Sequence, residues 1–364
     1  MMFYEKELLA LKKSHRYRSR TLQCDALSDF ASNDYLGLAH KKELHESACL
    51  ELSHLDTHAS KASMLVNGYH QVHHNFERAL CEANGFEDGV VLGSGFCANV
   101  ALIEALVRKG DRLFMDELYH ASGVLASKIG TIDVVYFKHN DAQELRELLK
   151  NSDSKRNIVA IEGVYSMDGD LCKREIFDVV DAFGALLIVD EAHSSGVVGK
   201  KLMGVFDHYD ITIKPNYIKM GTLGKAYGSF GAFILASAHI IEYLINRAKP
   251  IIYATSLSLY DTLLAHKSLE YILQNAQTLN AEIAKRQEIV MQELEVSIDA
   301  LIVPLLIKSN TKVIEMQKSL KERGFGVGAI RQPTVPEAIL RIIVRLGESE
   351  ERLRELAIAI REMQ

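Results

Sequence analysis

Seven short apolar runs, separated by longer stretches with helical periodicity, constrain the fold of this chain more than any other feature. The runs are rich in β-branched residues and lie at 89–92, 112–115, 134–137, 158–161, 186–189, 217–220 and 232–235. Strands this short and this apolar are typical of a mainly parallel sheet that is buried on both faces. The sequence therefore predicts an α/β domain built in layers around this sheet.

The pattern changes after about residue 256. Residues 257–294 contain no glycine or proline and predict one long helix. Beyond it, strands are predicted at 301–307 and 339–344, and helices at 312–323 and 350–361, with Ser349 as a suitable N-cap for the last helix. We therefore divide the chain into an N-terminal arm (1–40), a large domain (41–256), and a connecting helix with a small α+β domain (257–364).

Composition and charge exclude several classes of protein. A net charge of −6 without a basic block argues against nucleic-acid binding. The five cysteines are scattered and form no C-x-x-C pair, which predicts a reducing compartment, no disulfide framework and no metal site. No run of about 18 apolar residues is present, and the first 20 residues lack the apolar stretch of a secretory signal. We therefore expect a soluble, cytoplasmic protein.

A glycine-rich stretch contains the first candidate catalytic residue. Residues 221–228 read Gly-Thr-Leu-Gly-Lys-Ala-Tyr-Gly and follow a predicted strand, so the backbone around Lys225 can approach a ligand closely. Thr222 adds a hydroxyl group three residues earlier. Taken alone, a surface turn with a solvated lysine explains this stretch equally well.

Asp190 and His193 favour a role in catalysis for the stretch around Lys225. Asp190 follows a predicted buried strand, and strand ends in such sheets are where ligands bind, although an isolated aspartate there is more often a helix cap. A carboxyl group, a nearby imidazole and a lysine 35 residues later suit pyridoxal 5′-phosphate (PLP). This cofactor needs a lysine for its Schiff base and an acid beside its ring nitrogen.

PLP also needs a phosphate site, and residues 93–99 supply a candidate. Ser94 and Gly95 lie in a turn that opens a predicted helix, where free backbone N–H groups attract an anion. Because many strand-to-helix turns contain glycine, this turn alone is weak evidence.

Taken together, the motifs resemble those of the α-oxoamine synthases, which are PLP enzymes of fold type I. The matching segments are 32–38 (SNDYLGL), 68–69 (GY) with His73 and Glu77, 94–96 (SGF), 120–122 (HAS), 162–170 (EGVYSMDGD), 190–193 (DEAH), 222–225 (TLGK) and 253–256 (YATS). The resemblance covers nearly the whole chain. It implies a three-layer large domain around a mainly parallel seven-stranded sheet, and a smaller C-terminal α+β domain.

The resemblance implies roles around the cofactor ring. Lys225 would carry the Schiff base and later move the substrate's α-proton, and Asp190 would pair with the ring nitrogen. His193 and Ser166 would bind the ring hydroxyl, and His120 would stack on the ring face.

It also implies a shared phosphate site. Ser94, Gly95, Phe96 and Thr222 would hold the phosphate within one subunit. Thr255 would reach the phosphate of the neighbouring subunit, because sites in this family lie at a homodimer interface. For His73, a packing role is at least as plausible as a role in the site.

Members of the family join an amino acid to an acyl thioester with loss of CO2. Residues 329–336 (AIRQPTVP) are similar to the segment of the biotin-pathway members, which pair Arg331 with Thr334. Those members join L-alanine to a pimeloyl thioester, on coenzyme A or acyl-carrier protein, and form 8-amino-7-oxononanoate. Arg18 falls where they keep a substrate-binding arginine; the alternative interpretation, a solvated cation at a helix end, is the less favoured one. Asn33 and His120 would also face the substrate.

Two departures from the family pattern concern the substrate. The glycine-rich stretch that usually precedes the Gly-Tyr pair is replaced by residues 59–64 (ASKASM), which could reshape the substrate channel. Without a gap in the alignment, Ile343 falls where the partner of the amino-acid carboxylate belongs. With a two-residue deletion after Pro336, Arg341 takes that place, and we favour Arg341 because an unpaired carboxylate in a closed site costs several kcal/mol.

Three alternatives remain open from the sequence. The first is a glycine C-acetyltransferase that makes 2-amino-3-oxobutanoate, against which the segment with Arg331 and Thr334 argues. The second is another α-oxoamine synthase, making a longer amino ketone through the altered 59–64 loop. The third is a non-catalytic subunit that keeps the fold to bind a partner; the joint presence of Lys225, Asp190 and His193 argues against it.

Overall fold

The computed structural model describes residues 3–14, 16–20, 22, 26–129 and 132–363. Its strands are β1 (Ser28–Asp29), β2 (Asp88–Leu92), β3 (Arg112–Asp116), β4 (Asp133–Phe137), β5 (Asn157–Glu162), β6 (Leu186–Asp190), β7 (Tyr217–Thr222), β8 (Ala232–Ala236), β9 (Ile302–Lys308), β10 (Phe325–Gly326), β11 (Gly328–Ile330) and β12 (Ala338–Ile343). Its helices are α1 (Glu5–Lys13), α2 (Lys42–Ser53), α3 (Gln71–Asn84), α4 (Gly95–Leu106), α5 (Ala121–Ala126), α6 (Ala142–Lys150), α7 (Arg174–Phe183), α8 (Val205–His208), α9 (Ala238–Arg247), α10 (Lys249–Ile252), α11 (Leu259–Leu294), α12 (Asn310–Glu322) and α13 (Glu350–Arg361).

The predicted seven-stranded sheet is confirmed. Its strands lie in the order β2-β8-β7-β6-β5-β3-β4. β8 pairs antiparallel with both of its neighbours, and the remaining pairs are parallel. Each of the seven apolar runs in the sequence corresponds to one of these strands.

Alternating side chains of these strands enter two separate apolar clusters, as a sheet with two buried faces requires. On β3, Leu113 and Met115 join the cluster that contains α4, α9 and α10, whereas Phe114 joins the cluster that contains α3, α7 and α11. The three-layer arrangement predicted from the sequence is therefore confirmed.

The C-terminal part of the chain forms a second, smaller sheet. Its strands have the antiparallel order β11-β12-β9 and pack against α12, while α13 packs against α11 and α12. Ser349 caps α13, as predicted, by accepting the backbone N–H of Arg352. The sequence pattern did not predict β1, β10 or β11, because runs of two or three residues carry no measurable periodicity.

The segment before α2 is fastened to this smaller sheet. β1 pairs in parallel with β10, and the Phe30 carbonyl accepts the backbone N–H of Ile343. The buried guanidinium of Arg345 forms ion pairs with Asp29 and Asp34. These contacts hold the 32–38 motif against the carboxyl edge of the large sheet.

The sequence motifs of the large domain meet at this edge of the sheet. β2, β3, β5, β6 and β7 point the same way, so the residues that follow them converge at one edge of the sheet. In the described part of the chain, no helix combines the length and apolar character needed to cross a membrane.

Candidate active site

A chain of hydrogen bonds links Lys225 to the N-terminal motif. Nζ of Lys225 lies 2.7 Å from Nε2 of His193, and Nδ1 of His193 lies 2.5 Å from the Tyr35 hydroxyl. Burial raises the pKa of Tyr35 to about 12, so its hydroxyl keeps its proton. The same hydroxyl lies 3.3 Å from Asn33 Oδ1, so Tyr35 connects His193 with Asn33.

Burial also sets the protonation of the two basic groups. It lowers the pKa of Lys225 to about 8, against the pull of Asp190 and Glu162 toward the charged form. Burial, and then the charge of Lys225, hold the pKa of His193 well below its usual range. A neutral imidazole thus faces a lysine whose uncharged, nucleophilic form is accessible near neutral pH.

The carboxyl group of Asp190 is held by two donors. Its Oδ1 accepts the backbone N–H of Ala192 over 2.9 Å, and its Oδ2 accepts Asn99 Nδ2 over 2.7 Å. His120, the N-cap of α5, lies 2.7 Å from Ser122 Oγ through Nδ1, and burial lowers its pKa. The charges of Asp190 and Lys225 both act on the pKa of His120, so the three side chains lie close together.

The predicted phosphate turn has the expected local structure. Ser94 is the N-cap of α4, and its side chain accepts the backbone N–H of Cys97 over 3.2 Å. A Cβ added to Gly95 would lie 3.7 Å from the Thr222 side chain, so the turn and Thr222 converge. Phe96 is half exposed, and Thr255 lies on the surface in the segment after α10.

A third group of residues lies between the two sheets. Arg341 donates through Nε to the Ser166 carbonyl over 2.8 Å and through Nη1 to Asn33 Oδ1 over 3.1 Å. Ser166 is buried, and its backbone N–H donates to Glu162 Oε2 over 3.1 Å. Ile343, the alternative to Arg341, is fully buried in the apolar core. The structure therefore brings Arg341, and not Ile343, into the polar site.

Arg18 and the 329–336 segment meet at a small cavity. Its volume is about 130 Å³, and it is lined by Arg16, Arg18, Ala329, Ile330, Arg331, Gln332 and Thr334. Nη2 of Arg18 lies 3.4 Å from Thr334 Oγ1. Three guanidinium groups around one cavity favour an anionic ligand.

The altered 59–64 segment packs beside the region of Thr255. Ser60 donates its hydroxyl to the Leu257 carbonyl, and the Ala62 carbonyl accepts the backbone N–H of Ser256 over 3.0 Å. His73, for which packing was as plausible as a site role, is buried, and its Nε2 lies 2.7 Å from the same Leu257 carbonyl.

Three residues of the site were not predicted from the sequence: Tyr35, Asn99 and Glu162. Tyr35 lies within the 32–38 motif and Glu162 within the 162–170 motif. Glu162 also ends a buried strand, as Asp190 does, and this position at a strand end could have identified it from the sequence. β5 and β6 pair in register, which places Glu162 opposite Asp190. Asn99 carries no signal in the sequence, because only the packing of α4 brings it to Asp190.

The residues present fit PLP. Oε1 of Glu162 and Nη2 of Arg341 are among the buried polar atoms that have no hydrogen-bond partner within the described part of the chain. Burial, and then the neighbouring Asp190, raise the pKa of Glu162 well above its usual range. Free polar atoms beside Lys225, with an acid, an imidazole and a helix N-terminus at the same edge, match what the aldehyde, ring nitrogen, ring face and phosphate require.

Comparisons with known proteins decide the family. The family model described as aminotransferase class I and II matches residues 26–360. An 8-amino-7-oxononanoate synthase of Helicobacter pylori (strain J99) is 44% identical over 98% of this chain and 96% of its own length. The chain belongs to the α-oxoamine synthases. A second synthase of the same name, from Saccharophagus degradans, is 33% identical over 99% of this chain and 96% of its own length.

Solved structures of α-oxoamine synthases share the whole fold. Serine palmitoyltransferase of Sphingomonas wittichii has a TM-score of 0.90 over 100% of this chain and 98% of its own, at 23% identity, which shows the fold alone. The 8-amino-7-oxononanoate synthase of Francisella tularensis has a TM-score of 0.78 at 25% identity, over 93% of this chain and 98% of its own. The expected PLP-dependent fold is therefore confirmed.

The pKa of Lys225 predicts how the cofactor-free α-oxoamine synthase takes up PLP. Only the uncharged amine attacks an aldehyde, so the rate of Schiff-base formation should rise with pH and level off above about 8. Stopped-flow absorbance of the Schiff-base band, recorded across pH, measures this rate. A rate that keeps climbing to about pH 10, as for an exposed lysine, would contradict the burial argument.

Proposed function

We propose that this protein is an 8-amino-7-oxononanoate synthase of biotin biosynthesis. It condenses L-alanine with a pimeloyl thioester and releases CO2, the free thiol and 8-amino-7-oxononanoate. The observation that carries this proposal is the 44% identity to the Helicobacter pylori synthase over 98% of the chain. The geometry of the site supports each half of the reaction separately.

PLP, when bound, supplies the electron sink that stabilises negative charge at the α-carbon of alanine. Lys225 would hold it through Nζ, and Asp190 would keep its ring nitrogen protonated. His193 and Ser166 would bind its hydroxyl group, and His120 would cover one face of the ring. Ser94, Gly95, Phe96 and Thr222 would bind its phosphate.

Proton transfer falls to Lys225. With alanine bound, Nζ of Lys225 would take the α-proton and later return a proton. A pKa of about 8 makes the uncharged amine an available base near neutral pH. His193, whose Nε2 lies 2.7 Å away and whose Nδ1 contacts the Tyr35 hydroxyl, would orient the amine.

Arg341 and Asn33 would bind the carboxylate of alanine. Nη1 of Arg341 already contacts Asn33, and Nη2 is buried without a partner among the described residues. A buried guanidinium with an unused donor is costly unless a ligand completes its hydrogen bonds. The amino-acid carboxylate supplies the missing acceptor.

The cavity of Arg18, Arg331 and Thr334 would bind the far end of the acyl chain. β11 pairs with β12 so that Gly328 lies opposite Arg341. Arg331 follows three residues later, so the two arginines are separated by roughly 10 Å along the strands at the usual rise per residue. An extended seven-carbon chain spans a comparable distance, which supports a terminal carboxylate at this cavity.

We expect Arg18→Ala to raise the KM for pimeloyl-CoA roughly tenfold, because one hydrogen-bonded cation is lost from the carboxylate site. Initial rates of thiol release measure this KM. Arg20→Ala is the matched control, since Arg20 lies on the same exposed segment but does not line the cavity. An equal effect of both variants, or an equal effect of Arg18→Ala on heptanoyl-CoA, which lacks the carboxylate, would contradict the assignment.

We also propose that two copies of the chain share their active sites. Leu65 and Val66 are exposed on the 64–68 turn that contacts α10, and Tyr253, which ends α10, is 79% exposed. Exposed apolar side chains on adjoining segments favour a protein interface. Thr255 lies among them, where it would reach the phosphate in the partner's site.

The dimer proposal predicts a defined mass and a measurable role for Thr255. Light scattering during size-exclusion chromatography should give about twice the chain mass of 40.7 kDa. Thr255→Val should weaken PLP binding severalfold, because one phosphate hydrogen bond is lost. A monomer that binds PLP with full affinity would contradict the proposal.

One comparison of substrates tests the proposed function. The PLP-loaded protein should release free thiol from L-alanine with pimeloyl-CoA, and not from glycine with acetyl-CoA. Release with the second pair only would identify a glycine C-acetyltransferase instead. If both pairs are inactive, pimeloyl-acyl-carrier protein is the next donor, and inactivity with that donor also would overturn the proposal.

A further inference from the structure

Asn99 is a buried residue of the site to which the proposed chemistry assigns no role. It lies on α4 and is 1% exposed. Its Nδ2 donates to Asp190 Oδ2 over 2.7 Å and to Ser122 Oγ over 2.9 Å, and its Oδ1 accepts the Tyr119 hydroxyl over 2.7 Å. All of the polar atoms of this side chain are therefore engaged.

Tyr119 determines which way the Asn99 amide points. Burial, and then the neighbouring Asp190, raise the pKa of Tyr119 well above its usual range, so its hydroxyl keeps the proton that it donates. With the amide oxygen held by this donor, the amide nitrogen must face Asp190. The reverse orientation would set the amide oxygen against a carboxyl oxygen and leave two acceptors without a proton between them.

A second branch of the network leads to His120. Because Ser122 Oγ accepts from Asn99, its own proton is available for Nδ1 of His120, 2.7 Å away. The backbone N–H of Ser122 also donates to Nδ1 over 3.2 Å. Nδ1 is therefore an acceptor, and the proton of a neutral His120 sits on Nε2. One amide thus connects the residue proposed at the ring nitrogen with the residue proposed at the ring face.

We propose that Asn99, oriented by Tyr119, is a positioning residue that fixes Asp190 and His120 in the arrangement PLP requires. The inference rests on the proposed function, since it concerns the contacts that Asp190 and His120 would make with PLP. Ala192 fixes Oδ1 of Asp190 and Asn99 fixes Oδ2, which leaves the remaining lone pairs of the carboxyl group for the ring nitrogen. Without Asn99 the carboxyl group would turn, and the ring nitrogen would hold its proton less strongly.

Asn99→Leu tests the inference, because it keeps the size of the side chain and removes both donors. Nitrogen-15 NMR of the protein loaded with PLP labelled at the ring nitrogen reports the protonation of that atom directly. We expect the signal to move toward its unprotonated position and the Kd for PLP to rise roughly tenfold, the effect of one hydrogen bond to a charged group. Asn99→His, which restores a donor, should recover part of both.

Asn140→Leu is the matched control. Asn140 is also buried, and its Nδ2 donates to Asp170 Oδ2 over 2.8 Å and to the Leu171 carbonyl over 3.0 Å, outside the residues proposed to contact PLP. The Asn140→Leu variant should lower Tm without moving the NMR signal of the PLP ring nitrogen. Tyr119→Phe tests the inference in a second way, because it removes the donor that orients the Asn99 amide but keeps the amide itself. This variant should shift the nitrogen-15 signal in the same direction as Asn99→Leu, by a smaller amount.

The outcomes separate the inference from the proposed function. If wild-type protein forms no Schiff base with PLP, the proposed function and the inference both fail. If the wild type forms it, but Asn99→Leu keeps the wild-type nitrogen signal and Kd, the inference alone is overturned. Should Asn99→Leu not fold, an unchanged signal in Tyr119→Phe overturns it in the same way.

Discussion

Replacing Lys225 with alanine should abolish the condensation of L-alanine with pimeloyl-CoA and remove the visible absorbance band of the PLP-loaded protein. Nζ is the group that holds the cofactor, and it is also the base for the α-proton. Proton transfer by a positioned side chain contributes up to about 10⁴-fold. We therefore expect kcat to fall at least that far, as measured by thiol release together with an absorbance spectrum of the same sample.

Lys219 provides a demanding control for this assignment. It is fully buried in the strand that leads to Lys225; its Nζ lies 3.6 Å from Glu191 and donates to the Met203 carbonyl, and neither partner is proposed to bind PLP. Lys219→Met should keep the absorbance band, while unfolding becomes easier by about 3 kcal/mol because Glu191 is left buried without its cationic partner. Borohydride reduction and peptide mapping of the wild type should place PLP on Lys225. A label on Lys219, or a band that survives in Lys225→Ala, would show that the lysine was misassigned.

Replacing Arg341 with leucine should raise the KM for L-alanine by roughly a hundredfold and leave the KM for pimeloyl-CoA nearly unchanged. The guanidinium is the only one that reaches Asn33 and Ser166 among the described residues, and its free Nη2 is placed for a carboxylate. Losing a charge-assisted hydrogen bond to a carboxylate in a buried site has an effect of this order. Initial rates at varied concentrations of each substrate separate the two KM values.

Ile343→Val distinguishes the assignment of the carboxylate site to Arg341 from the ungapped alignment, which places Ile343 there. Ile343 is fully buried two residues further along β12, so the variant should lower Tm slightly through the loss of one methyl group and should not change the KM for alanine. If Arg341→Leu raises both KM values equally, the arginine shapes the site as a whole and does not bind the amino-acid carboxylate. Methylamine or guanidine derivatives added to Arg341→Ala should restore part of the rate if the missing cation is the cause.

The large sheet could be predicted because its signal is local. Most strands of that sheet are short apolar runs, because burial on two faces removes the polar residues that would otherwise interrupt them; β4, at the edge, is the more exposed one. The small sheet was predicted only in part, since β11 has three residues and forms through pairing with β12. Residues of the site that depend on long-range contacts are likewise not predictable from a local pattern. Lys225 and Asp190 follow predicted strands, whereas Asn99 reaches its partners, 20 to 91 positions away, only in the folded chain.

The sequence by itself predicted the layered α/β fold and, through the resemblance to the family, the lysine, aspartate and histidine that we propose for PLP. Asp190 and Lys225 follow predicted strands, and the carboxyl ends of parallel strands meet at one edge of a sheet, so the sequence also indicated where the site lies. Only the tertiary structure placed Arg341 beside Asn33 and Ile343 in the apolar core, set Glu162 beside Asp190, and brought Arg18 to Thr334. Those choices depend on how two sheets and the N-terminal segment pack together, and the distances that result, 3.1 Å from Arg341 to Asn33 and 3.4 Å from Arg18 to Thr334, join residues about 310 positions apart.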